Sequence, residues 1–184
     1  MSLRLRPAGK VALRELVLYG LLGAILVAAQ LALAVLANVE LVSLLIIVYT
    51  LALGKRALFP VYVFVLLEGL IFGFGLWFIN YLYVWALLVG AVLLLRPHMQ
   101  GRLGWTILSA SFGLLFGALC AIPYFFIGGP SMAFAYWLSG IPYDLAHCAG
   151  NCFFALVLVA PLEKVMLRCA AGLGKNMPEA ANRN

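Results

Sequence analysis

The sequence predicts an all-α integral membrane protein with six transmembrane helices and both the N-terminus and the C-terminus in the cytoplasm. Three observations carry that prediction. First, 66% of the 184 residues are hydrophobic and only 10% are charged, and mean hydropathy is +1.12. Ordinary soluble domains are about 45–50% apolar and about 25% charged, and a globule this small cannot hide such an excess of apolar surface from water. Second, the apolar runs are separated by short breaks. Six spans of roughly 20 residues use about 120 residues, which leaves short connections and two tails. Third, the basic residues fall on alternate connections. Together these exclude a soluble enzyme, a disordered chain and a disulfide-built secreted module. The expected organisation is an N-terminal cytoplasmic segment over 1–15, a six-helix membrane domain over 16–165 and a cytoplasmic tail over 166–184.

Helix 1 is predicted over 16–36. It follows Arg4, Arg6, Lys10 and Arg14, and Ala32-Leu33-Ala34 resembles a signal cleavage site. The apolar run is longer than a signal core and more spans follow, so it reads as a membrane helix. Ala37-Asn38-Val39 makes a tight turn into a short helix 2 over 40–53, which Gly54-Lys55-Arg56 breaks. Helix 3 is predicted over 58–78, with a tight turn at Asn80, and helix 4 over 81–95, closed by Arg96-Pro97-His98. Helix 5 is predicted over 103–126. Gly128-Gly129-Pro130 then opens the longest outer connection, to about Gly140. Helix 6 is predicted over 142–162, with Pro142 in its first turn, and a polar tail starts near Gly172. At about 1.5 Å per residue, helices 2 and 4 fall short of a full bilayer. Either neighbours shield them or their ends lie a turn further out.

Placing the N-terminus inside puts all 12 basic residues on inner segments: Arg4, Arg6, Lys10 and Arg14; Lys55 and Arg56; Arg96 and Arg102; Lys164, Arg168, Lys175 and Arg183. Lys and Arg collect on the cytoplasmic flanks of spans. The net charge of +6 therefore reads as orientation, with no nucleic-acid partner. Cys120, Cys148, Cys152 and Cys169 show no outer-loop pairing pattern. Cys148 and Cys152 stand beside His147, but one helix supplies too few ligands for a metal, and neither a metal nor a cofactor is expected. The chain lacks HExxH, GxSxG and Walker A motifs, and the glycines over 69–75 read as helix packing.

Unusual residues gather at the outer helix ends. Asn38 and Glu40 open helix 2. Trp77 and Asn80 end helix 3, and Tyr81, Tyr83 and Trp85 begin helix 4, Tyr83 being the one of these three taken as a binding residue. Tyr124 ends helix 5, and Tyr136 and Trp137 follow in the outer connection. Asp144, His147 and Asn151 are spaced i, i+3, i+7, so they share one helical face. Each is costly in lipid, so that face meets protein or a wet cavity. The group reads either as a ligand site or as a hydrogen-bond network locking helix 6 to its neighbours. Glu40 reads equally as a ligand contact or as an acid at a helix start. Glu68 lies near the middle of helix 3 and is a possible intramembrane polar site or a structural hydrogen-bonding group. Tyr and Trp also collect at membrane interfaces whatever a protein does, but as a set beside these polar groups they could cup a flat ring. The missing outer Lys and Arg favour a neutral or cationic ligand. On helix 1, Gly20, Ala24, Ala28 and Ala32 recur every fourth residue, a spacing that lets another helix approach closely.

A small six-span chain with this alanine stripe resembles the S components, the substrate-binding membrane subunits of energy-coupling factor (ECF) vitamin transporters. Asn38-Val39-Glu40-Leu41-Val42-Ser43-Leu44 and Gly140-Ile141-Pro142-Tyr143-Asp144-Leu145-Ala146-His147, continuing to Gly150-Asn151, are similar to that family, and the likeness covers about 14–165. The resemblance implies a non-enzymatic subunit of a bacterial or archaeal cell membrane. It implies capture of a vitamin-like small molecule from outside, with a transmembrane coupling protein and two cytosolic ATPases as partners. The coupling protein would dock on Ala24, Ala28 and Ala32. The start Met1-Ser2-Leu3 lacks the N-terminal Met-x-His of the metal-specific relatives, which disfavours nickel or cobalt. Thiamine-like, flavin and cobalamin cargoes stay open, while carboxylate-bearing vitamins fit the basic-free outer side less well. Two other readings compete: a membrane scaffold without a ligand, and a small membrane enzyme using Asp144 and His147 as an acid/base pair.

Overall fold

The computed structural model describes residues 13–36, 38–99 and 101–172, and the elements run α1 Leu13–Ala32, α2 Val42–Leu53, a short 3-10 turn Gly54–Ala57, α3 Leu58–Phe72, α4 Leu76–Leu95, α5 Gly101–Cys120 and α6 Ile122–Gly172. Arg4, Arg6, Lys10, Ala37, Lys175, Arg183 and the tail beyond Gly172 lie outside the described residues. Five segments are long and apolar enough to cross a membrane: Leu13–Ala32, Val42–Phe72, Leu76–Leu95, Gly101–Cys120 and Ile122–Cys169. The chain is an all-α, multi-pass membrane protein.

The direction of each helix follows from its contacts. Glu15 Oε1 of α1 meets Arg56 Nη1 at 2.8 Å. Tyr19 stacks on Phe59 with ring centroids 5.1 Å apart. A Cβ on Gly23 would fall 2.5 Å from Val63 Cγ1. Residue numbers rise together along both helices, so α1 and α3 are parallel and packed closely. The next helix in the chain after α1, α2, runs the other way, with the Tyr49 hydroxyl donating to the Leu22 carbonyl at 3.4 Å. The reversal sits at Gly54, whose φ of 59° falls in the left-handed region that glycine adopts freely.

Within α2 every residue except Leu45 is buried. Its 12 residues rise only about 18 Å, less than a hydrocarbon core of about 30 Å. It is tolerated because protein, not lipid, surrounds it. The short helix 4 of the sequence reading has the other explanation. The turn before it lies at Gly73 (φ 84°), and α4 begins at Leu76 rather than 81. Helix 3 correspondingly ends at Phe72 rather than 78, and Asn80, taken for a turn residue, is buried inside α4.

Near the C-terminal half, α6 is interrupted at Gly128 and Gly129, whose backbone is not helical. Tyr124 stacks on Tyr136 with centroids 4.1 Å apart. The Gly117 N–H donates to Asp144 Oδ1 at 2.9 Å. Asn151 Nδ2 donates to the Ser109 carbonyl at 3.1 Å. Numbers fall on one side as they rise on the other, so the chain turns back at Gly128–Gly129. Residues 122–127 carry on from α5, and 130–172 return antiparallel to it. The expected outer loop over 128–140 is therefore helical from Pro130 onward. Pro130 takes the first-turn position in which proline's missing N–H costs nothing, and Pro142 lies well inside the helix.

Candidate functional site

Two glycines of α5 seat the polar face of α6. A Cβ on Gly113 would come within 2.9 Å of the His147 carbonyl oxygen, and one on Gly117 would collide with the Asp144 carboxylate. Both α6 side chains are buried, Asp144 to 3% exposure and His147 to 2%. Asp144 Oδ1 takes the Gly117 N–H, while Oδ2 has no partner. His147 Nε2 lies 2.9 Å from Glu40 Oε1. The Ser43 N–H donates to Glu40 Oε2 at 2.8 Å. Glu40 thus satisfies an N–H at the start of α2, which every helix leaves free, and it also ties α2 to α6.

Two cavities, each of about 330 Å³, adjoin this network. The first is lined by Gln30, Asn38, Glu40, Tyr81, Trp85, Phe116 and His147, among others. The second is lined by Asn38, Phe116, Gly117, Cys120, Tyr136, Tyr143 and Asp144, among others. Asn38 and Phe116 belong to both and form the divide. Phe116 packs edge-on against the His147 ring at 4.9 Å. Asn38 adopts φ 55°, a left-handed conformation that asparagine tolerates better than most residues. The aromatic wall is braced from behind, since Trp85 has Phe64, Tyr81, Phe112 and Phe116 around it within 6.0 Å between centroids.

The structure brings together Asn38, Glu40, Tyr136, Asp144 and His147 of the residues singled out from sequence. Tyr124 supports Tyr136 by stacking. The Tyr83 hydroxyl lies 2.6 Å from the Leu119 carbonyl and 3.1 Å from Asn80 Oδ1, so both brace α4 against α5. Asn151 does the same between α6 and α5. Trp77 packs edge-on against Tyr81 at 5.1 Å without lining either cavity. Trp137 is 38% exposed against Phe134, as expected of an interfacial aromatic. Glu68 is buried in α3 with Oε1 unpartnered, and it too lines neither cavity.

Sequence reasoning missed Gln30, Phe116 and Gly117, and it named Tyr81 and Trp85 among the outer-end aromatics without counting them as binding residues. Gln30, whose Nε2 donates to the Tyr81 hydroxyl at 3.1 Å, carried a usable signal: it is the lone side-chain amide in the apolar run of helix 1. Among the described residues no three His, Cys, Asp or Glu side chains come together to hold a metal. Comparison with protein-family models, with curated proteins and with solved structures finds no match to this chain.

Proposed function

We propose that this protein is the substrate-binding membrane subunit of an ECF-type importer. In this reading it crosses the membrane six times, with α2 and α3 as separate passes and both termini cytoplasmic. It captures a vitamin-like small molecule, a neutral or cationic heterocycle, on the outer side. A transmembrane coupling protein and two ATPases then drive its release inward. The observation that carries the reading is a convergence. Polar and aromatic side chains from the basic-free ends of α2, α4, α5 and α6 surround two adjoining cavities, each within the size range of small-molecule pockets.

Two further features support it. The contact face of α1 is Tyr19, Leu22, Gly23, Leu26 and Val27, while Ala24, Ala28 and Ala32 are exposed. The small-residue stripe is thus unused within the bundle, as a docking face for another membrane helix requires. Arg56 is paired with Glu15 near the start of α1, so these basic segments share one end, and the positive-inside tendency makes that end cytoplasmic. The enzyme reading draws less support, because Asp144 and His147 bond to different partners, Gly117 and Glu40, rather than to each other.

The test is co-expression with an ECF coupling protein and its two ATPases in cells that cannot make the vitamins on a panel. The expected result is co-purification of the four chains and ATP-dependent uptake of one compound. A well-folded chain that neither associates nor supports uptake of any compound refutes the reading.

A further inference from the structure

Between the two carboxylates of the site, one is fully engaged and the other is not. Glu40 has both oxygens in hydrogen bonds, to His147 Nε2 and to the Ser43 N–H. Asp144 has only Oδ1 engaged, by the Gly117 N–H. Its Oδ2 is buried without a partner, and the residue lines the second cavity. Among the described residues no Lys or Arg pairs with it, Arg56 being paired with Glu15. His147, one turn further along the same helix, has its Nε2 engaged by Glu40. An unpartnered carboxylate oxygen out of water is expensive, and here glycine at 117 makes the room that keeps it in place.

Resting on the ligand-binding reading above, we infer that Asp144 is a docking point for a positively charged N–H donor on the ligand, such as an amidinium or protonated amine, and that a flat ring attached to that donor lies against Phe116 and Trp85 across the Asn38 divide. The two cavities then serve as one two-part site: an aromatic wall for the ring, and an anionic end for the donor. Engagement requires a turn of the Asp144 carboxyl about its Cβ–Cγ bond, a soft torsion, to present Oδ2 to the second cavity that the residue lines. Phe116, shared by both cavities, holds the ring close enough to the carboxylate for one small molecule to reach both. An anionic ligand would meet Asp144 and Glu40 with no basic side chain to offset them.

The experiment uses the full chain in detergent and three probes that share one ring and differ in charge: benzamidine, benzamide and benzoate. Binding is measured by titration with ligand-observed NMR. Charged hydrogen bonds to a carboxylate contribute enough for about tenfold in affinity. Benzamidine should bind about tenfold or more tighter than benzoate, with benzamide between them. Asp144→Asn should remove most of the benzamidine advantage while leaving benzamide within about threefold. The charge series on the unaltered protein needs no variant to fold. The inference is overturned by benzoate binding as tightly as benzamidine, by no benzamidine binding up to about 10 mM, or by a folded Asp144→Asn protein that keeps the benzamidine preference. Failure of this subsite is separable from failure of the transport reading. Uptake of an anionic compound through an ECF module would refute the subsite alone. Benzamidine binding that needs Asp144, in a chain no ECF module accepts, would refute the transport reading alone.

Discussion

Gly117 is where the smallest change should have the clearest effect. An alanine there would force its methyl into the Asp144 carboxylate. Overpacking of this kind costs about 1–3 kcal/mol, so Gly117→Ala should lower the melting temperature in detergent and weaken ligand binding together. Removing the Asn151 side chain tests a plain structural bond. Buried polar bonds between membrane helices average about 0.6 kcal/mol, so Asn151→Ala should lower stability modestly and leave the binding specificity unchanged. Glu40→Gln strips the charge from a pair whose His147 partner is buried, and it should destabilise by about 2 kcal/mol, read by the same thermal scan. At this scale the sequence was partly legible. The i, i+3, i+7 spacing placed Asp144, His147 and Asn151 on one face, because a helix's geometry is fixed once its existence is known. It could not divide their labour: Asn151 binds a backbone carbonyl of α5, and Glu40 is drawn to His147 across more than a hundred positions. Those pairings are tertiary, and hydropathy holds no trace of them.

The elements tell a similar story about punctuation. In a membrane chain nearly every residue of a span is apolar, so the periodic contrast that marks helix faces and ends in soluble proteins is weak. Asn80 therefore resembled a turn in an apolar background, whereas it is buried in α4 beside the Tyr83 hydroxyl, and the chain reverses earlier around Gly73. Gly128-Gly129-Pro130 was located well, but it marks a sharp reversal and a new helix start, not a thirteen-residue loop. The two faces of α1 offer a paired test of partner binding. Ala28 is exposed, and Gly23 abuts Val63. Ala28→Trp should leave the melting temperature of the isolated chain within about 2 °C and abolish co-purification with a coupling protein. Gly23→Leu should destabilise the chain itself by wedging α1 from α3. If Ala28→Trp instead unfolds the chain while Gly23→Leu is tolerated, the assignment of faces is wrong.

For the whole molecule, composition settled the class and charge asymmetry supplied the expected orientation, because both reflect the bilayer rather than any one contact. Impermeant thiol labelling of intact cells, with single cysteines in an otherwise cysteine-free chain, checks that orientation. Cysteines at positions 74 and 129 should label from outside, and those at 55 and 98 should label only after the membrane is opened. The central claim is that the outer end of this bundle holds a small organic molecule. The most direct measurement is thermal stability of the detergent-purified chain against a panel of vitamins and their precursors, with Asp144→Ala alongside. A ligand at about 100 times its Kd that binds only the folded state adds about 2.7 kcal/mol, or roughly 5 °C or more for a chain of this size. The account predicts such a shift with one compound bearing a positively charged nitrogen donor, and its loss in Asp144→Ala. A monodisperse protein that shows no shift with any compound would contradict it, whereas an equal shift in Asp144→Ala would overturn the Asp144 subsite alone.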